Sequence, residues 1–104
     1  MEEKSRKIER LQLIEQELQN MMVQKQMFQF ELSETEEALR EIKNSKEDFI
    51  YKIVGNLMIK IKKEESVESL EKKKKLIGLR MDAIEKQEKK LYEEASNLRE
   101  EITK

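Results

Sequence analysis

The 104-residue sequence contains no cysteine, histidine, tryptophan or proline, and only two glycines. Each gap removes a class of chemistry. Without histidine there is no ordinary proton shuttle near neutral pH. Without cysteine there is no thiolate nucleophile and no disulfide, which fits a reducing compartment. Zinc, haem and iron–sulfur centres lose their usual ligands. No apolar run reaches the roughly 18 residues needed to span a membrane, and Met1-Glu2-Glu3-Lys4 does not open a signal peptide. Aromatic residues make up 5% and hydrophobic ones 37%, against 43% charged. A compact domain carries about 45–50% apolar and about 25% charged residues, so one closed core is short of material. The expectation is a soluble, cytoplasmic protein that is not an enzyme and needs no cofactor.

What is present is charge in balance and a strict period. The 22 basic and 23 acidic residues nearly cancel, which argues against disorder through self-repulsion. With no proline, nothing breaks a helix covalently. From Leu11 onward, Leu11, Leu18, Leu32 and Leu39 recur at one heptad position, with Ile14, Met21, Phe28 and Ile42 three residues later. Lys25 and Thr35 interrupt this seam. A second seam runs through Leu70, Ile77, Ile84, Leu91 and Leu98, interleaved with Val67, Met81, Ala95 and Ile102 and interrupted by Lys74 and Glu88. A 3.5-residue repeat sustained over four or more heptads predicts a coiled coil.

Between the seams the rhythm changes. Asn44-Ser45-Lys46 ends the first helix, and Phe49–Val54 and Leu57–Lys62 are β-branched and aromatic around Gly55-Asn56. A two-residue Gly-Asn turn between such runs predicts a β-hairpin, since glycine tolerates the positive φ required. Glu64-Glu65-Ser66 supplies acidic residues and a capping hydroxyl for the second helix. Pairing across the turn puts Ile50, Lys52, Val54, Leu57, Ile59 and Ile61 on one face. Phe49, Tyr51, Ile53, Met58, Lys60 and Lys62 lie on the other. Both faces are largely apolar, and two helices joined at one end cannot cover both. Isolated hairpins are marginal in water and their edges invite pairing, so several chains contributing hairpins to one closed sheet or barrel is the expected remedy.

The hairpin makes the helices antiparallel, so the partner of residue i lies near 113 minus i. Setting Ile42 opposite Leu70 then brings Lys25 opposite Glu88. The pair reads either as a snorkelling contact at the seam edge or as a register lock, because a heptad slip sets each charge against an apolar residue. Lys72-Lys73-Lys74-Lys75 spreads around a helix among Glu64, Glu65, Glu68 and Glu71; with net charge near zero it is a solvated surface, and no nucleic-acid partner is expected.

In Ile50-Tyr51-Lys52-Ile53-Val54-Gly55 followed by Leu57-Met58-Ile59-Lys60, with Ala38-Leu39-Arg40-Glu41-Ile42 before and Arg80 and Ile84-Glu85-Lys86-Gln87-Glu88 after, the chain resembles the beta class of prefoldin subunits, in its archaeal form. The resemblance runs from about Ile8 to Ile102, and the single hairpin points to the beta rather than the alpha type. It implies one beta-type domain over residues 1–104, with helices near 5–44 and 66–103 about a hairpin at 49–62. It further implies a hexamer of two alpha-type and four beta-type subunits, a double β-barrel body and six coiled-coil tentacles. Such a chaperone holds non-native polypeptides at its tentacle tips and passes them to a group II chaperonin without nucleotide hydrolysis. The sequence looks short at both ends against that pattern.

On this expectation residues 1–8 project beyond the second helix, and Met1, Ile8, Leu11 and Leu13, beside Leu98 and Ile102, form a tip for client binding. Exposed apolar groups attract unfolded chains weakly and without direction, and several tentacles multiply the effect. Frayed ends with leftover hydrophobes are the plainer explanation. Val23, Met27 and Phe30 form a second stripe opposite the seam, read as a cavity wall or as packing against a neighbour; adaptable methionine suits promiscuous contact. Phe49, Ile50, Tyr51, Ile53, Val54, Gly55, Leu57, Met58, Ile59 and Ile61 are the oligomerisation residues. The alternative function is a structural coiled-coil adaptor whose hairpin is a clasp without clients.

Overall fold

A computed structural model describes residues 1–104. Helix α1 spans Glu2–Asn44, strands β1 and β2 span Phe49–Val54 and Leu57–Lys62, and helix α2 spans Lys63–Thr103. The chain folds as two compact units, one of residues 1–28 with 80–104, the other of residues 29–79.

In the unit of residues 29–79, the hairpin pairs Val54 with Leu57, Ile53 with Met58, Lys52 with Ile59, Tyr51 with Lys60, Ile50 with Ile61 and Phe49 with Lys62. Gly55 turns the chain at φ +60°, and no other residue has positive φ. That is the pattern of a II′ turn, which puts glycine first because a Cβ there is strained. The faces are therefore those expected from the sequence. The helical part of this unit buries Leu39, Ile77 and Thr35. Thr35 is tolerated because its hydroxyl donates to the carbonyl of Glu31 at 2.8 Å, leaving no buried polar atom without a partner. Lys74 stays exposed, lining a surface hollow beside Leu39. Ion pairs from Lys43 to Glu71 and from Lys73 to Glu31 cross between antiparallel segments.

The link from sheet to second helix departs from expectation. Ser66 does not cap α2: the helix starts at Lys63, leaving Ser66 one turn inside it. The Lys63 amide first completes the hairpin by donating to the Asp48 carbonyl at 2.9 Å, so β2 passes into the helix without a loop residue. Glu64 and Glu65 sit in the first turn, where their charge suits the helix dipole. The Lys63 ammonium donates to the carbonyls of Ser45 at 2.6 Å and Lys43 at 3.4 Å. One side chain thus satisfies acceptors left open where α1 ends.

In the other unit, Ile14, Leu91 and Ala95 form a buried cluster with Leu11, Leu18, Met21 and Leu98 packed against it. These are seam residues of both helices, as the heptad reading requires. Polar contacts flank them. Glu15 pairs with Arg99 at 3.5 Å, Arg10 with Glu94 at 2.9 Å and Lys7 with Glu101 at 3.2 Å. Lys7 lies within the expected overhang, and its side chain reaches back to Glu101 on α2. Long side chains lean along the axis and extend the pairing beyond the register of the backbones.

Candidate functional site

The hairpin gathers seven exposed large hydrophobic residues, Phe49, Tyr51, Ile53, Val54, Leu57, Met58 and Ile59, within one short stretch. Ile50 and Ile61 are half-buried, and the other strand residues are exposed, up to 73% for Ile53 and 70% for Met58. Ile42, Leu70, Ser66 and Ser69 meet the half-buried pair around one apolar hollow, so the helix ends cover only the part of one face nearest them. Tyr51, Ile53 and Met58 stand open on the other face, where the Lys60 ammonium lies 4.4 Å from the centre of the Phe49 ring. Both strands also lack a second neighbour, because the sheet has only two. Unpaired edges and bare apolar faces together describe a surface built for other strands.

The candidate tip residues divide by cover. Met1, Ile8 at 39% and Leu13 at 54% are exposed. Leu11 and Leu98 are partly buried against the Ile14 cluster, and Ile102 is intermediate. The first three can meet a ligand directly, while the others offer an edge beneath them. Around them the charges are clamped. Arg10 donates from Nε and a terminal nitrogen to the two carboxylate oxygens of Glu94, at 2.9 and 3.1 Å. This fork raises the guanidinium's pKa and lowers that of the Glu94 carboxyl, against the opposing pull of desolvation.

Val23, Met27 and Phe30 are all exposed. Sequence reasoning missed Met22 and Tyr92, which line one shallow groove with Leu18, Gln12, Gln16 and Gln19. Each directly follows a seam residue, Met21 or Leu91, and such flanking positions are where an antiparallel pair leaves side chains half in contact. It also missed Leu76 and Leu79, exposed on α2. The Lys25 ammonium lies 3.0 Å from Glu88 Oε1, with the two side chains 29% and 12% exposed. That hydrogen bond raises the lysine's pKa, outweighing the lowering by desolvation. Glu71 is held below the usual carboxylate range by its hydrogen bond from Lys43. No three His, Cys, Asp or Glu side chains gather where they could share a metal ion, and no helix is long and apolar enough to cross a membrane.

Comparison with known proteins gives a consistent picture. Residues 5–104 match the family model described as prefoldin subunit. The prefoldin beta subunit of Thermococcus onnurineus is 42% identical over 89 residues, covering 85% of this chain and 77% of that one. That of Pyrobaculum islandicum is 37% identical over 98 residues, covering 93% and 78%. Among solved structures, the prefoldin beta subunit from Thermococcus strain KS-1 superposes with a TM-score of 0.87 at 37% identity, covering 96% of this chain and 89% of that one. The beta2 subunit from the same strain gives 0.72 at 27% identity, covering 85% and 95%.

Proposed function

The chain belongs to the prefoldin family, on its beta-subunit side, and from that premise we propose how this molecular chaperone subunit, which is not an enzyme, does its work. Residues 1–104 act as one functional domain in the cytoplasm. The hairpin is the clasp. It joins hairpins of other prefoldin subunits in a closed β-barrel body, in a hexamer of two alpha-type and four beta-type chains. The paired helices carry the client-binding groups, with Met1, Ile8 and Leu13 in direct contact and Leu11, Leu98 and Ile102 beneath. Val23, Met27 and Phe30 line the space the client occupies. Clients are non-native polypeptides, held without nucleotide hydrolysis and passed to a group II chaperonin.

The observation that carries this reading is where the exposed apolar side chains stand. A chain so rich in charge has enough polar residues to cover its helices, yet Ile8, Leu13, Val23, Met27 and Phe30 face solvent. Each such group attracts an unfolded chain weakly through burial of apolar area. Several copies in one assembly act together, and avidity converts weak contacts into retention. Lys25 and Glu88 hold the register on which the tip depends.

Light scattering tests it. A chemically denatured protein diluted into buffer with the assembled complex should aggregate less at stoichiometric amounts. Ile8→Ser with Leu13→Ser should weaken that suppression while the complex keeps its mass. Val23→Ser, Met27→Gln and Phe30→Ser in one chain test the cavity wall in the same way. Absence of suppression by the intact complex would leave a structural adaptor, with the hairpin as a clasp and no client.

A further inference from the structure

The exposed face of α1 changes character partway along the helix. In a chain that is 43% charged, Lys25 is the only charged residue between Glu17 and Glu31, and it is engaged with Glu88 at 3.0 Å. The side chains left open from Gln19 to Met27 are amides and hydrophobes: Gln19, Asn20, Gln24 and Gln26 beside Met22, Val23 and Met27. Three or four residues apart on a helix, Gln19, Asn20, Gln26 and Met27 are the surface neighbours of Val23, and none of them is ionisable. Met22 continues this surface into the groove with Tyr92, lined also by Gln12, Gln16 and Gln19. The one carboxylate of that groove, Glu15, is paired with Arg99. Heptad packing does not call for this neutrality, because outward positions of paired helices are ordinarily charged. The opposing stretch of α2 keeps to that rule, with Lys86, Lys89, Lys90 and Glu93 exposed.

Resting on the reading of this stripe as a surface that meets clients, we infer that the neutral face of α1 binds extended polypeptide by its backbone. The amides of Gln19, Asn20, Gln24 and Gln26 hydrogen-bond to peptide groups, while Met22, Val23 and Met27 take up nearby apolar side chains. An unfolded segment offers open peptide N–H and C=O groups whatever its sequence. A carboxamide carries two donors and an acceptor, so it satisfies either peptide group. A charged side chain in the contact costs desolvation unless the segment supplies its counter-ion, and a surface that takes many sequences cannot count on one. Removing charge therefore widens the range of segments that fit. A second copy of this chain fits less well. Its helical backbone groups are already paired, and outside the same belt its helices bring charge. From Gln19 to Met27 the face is about 12 Å long at 1.5 Å per residue, the span of about four residues of extended chain. Each subunit thus holds only a short segment, and retention of a client needs several.

The test uses the assembled complex and a fluorescently labelled protein, reduced and alkylated so that it stays unfolded. Binding is read by anisotropy and the mass of the complex by native mass spectrometry. Gln19→Glu, Gln24→Glu and Gln26→Glu in one chain keep side-chain size but add charge and remove the amide donors. Together they should weaken binding about tenfold at unchanged mass. An uncharged peptide of leucine, serine and glycine should compete about tenfold better than the same peptide N-methylated at successive central peptide bonds, which keeps its side chains and loses backbone donors. Equal competition by the two peptides, or full binding by the glutamate variant, would overturn the inference. Val23→Ser with Met27→Ser separates it from the reading beneath. If that pair weakens binding and the glutamate variant does not, clients meet this face through side chains alone, and only the backbone inference falls. If neither variant weakens binding, the face takes no client and both fall. If the glutamate variant lowers the mass of the complex, the face is a contact between subunits and the inference falls.

Discussion

The hairpin and the helical pair of residues 1–28 with 80–104 use similar materials to opposite ends. The helical pair is rich in charge, yet it buries Ile14, Leu91 and Ala95 completely or nearly so, and ties its flanks with Lys25–Glu88, Arg10–Glu94 and Glu15–Arg99. The hairpin is mostly apolar, yet Ile50 and Ile61 alone among its apolar side chains are half-buried while the rest are exposed, and its lysines form no ion pair. Apolar content therefore does not locate the core. What counts is whether the same chain supplies a second surface at the right distance. The helices supply one to each other through a common period, and a lone two-stranded sheet has none for either face.

Substitutions can be chosen to separate these two economies. Ile53→Asp should abolish assembly and leave the melting of the isolated chain within about 0.5 kcal/mol, as for other exposed positions. Ile14→Ala should do the reverse. It empties a fully buried site and should cost roughly 2–5 kcal/mol in denaturant unfolding, while the hairpin still assembles at low temperature. Should Ile53→Asp lower chain stability as much as Ile14→Ala, the division between clasp and stalk would disappear.

A smaller effect concerns register. Lys25→Glu should lower the melting temperature by opposing two carboxylates, and adding Glu88→Lys should recover part of the loss. Simple additivity of the two changes would reduce the pair to a surface contact. Gly78 offers a gain instead. It lies inside α2, and a Cβ built there meets nothing within 4 Å. Gly78→Ala should therefore stabilise the helix by about 0.5–1 kcal/mol, read from the urea midpoint.

The smallest effect is that of pH. Glu71 and Glu94 have lowered pKa values in the folded chain, so their contribution is present above the unfolded value of 4.5 and is lost as pH falls through the lower folded ones. Lys25 is raised, so its contribution is present below the unfolded value of 10.5 and is lost as pH rises through the higher folded one. Melting temperature should thus hold between these limits and decline on both flanks. Glu94→Gln should make the acid decline shallower. Salt should weaken both declines, because these pairs lie near the surface.

Much of this architecture is legible in the spacing of residues. The seam positions, the antiparallel sense and the hairpin register all follow from short repeats and one Gly-Asn turn. The limits of α2 were not legible in the same way. Ser66 has the chemistry of a cap, but the hairpin continues one residue past β2 through the Lys63 amide, and the helix has already begun. The candidate site was partly legible. Ile8, Leu13 and the Val23 stripe fall outside the seam by count, whereas the Met22–Tyr92 groove depends on two residues 70 apart in sequence.

The sequence by itself determined the period, the turn and the poverty of apolar material, because each is a property of neighbours along the chain. Only the tertiary structure decided which flanking side chains close over the seam and which stay open. It brought Lys7 to Glu101 and left Met22 and Tyr92 half in contact. It also left the strand lysines without an ion pair. The reason is physical: burial and ion pairing depend on distances between residues far apart in sequence, and a heptad count specifies which face is turned inward but not how far its edges are covered.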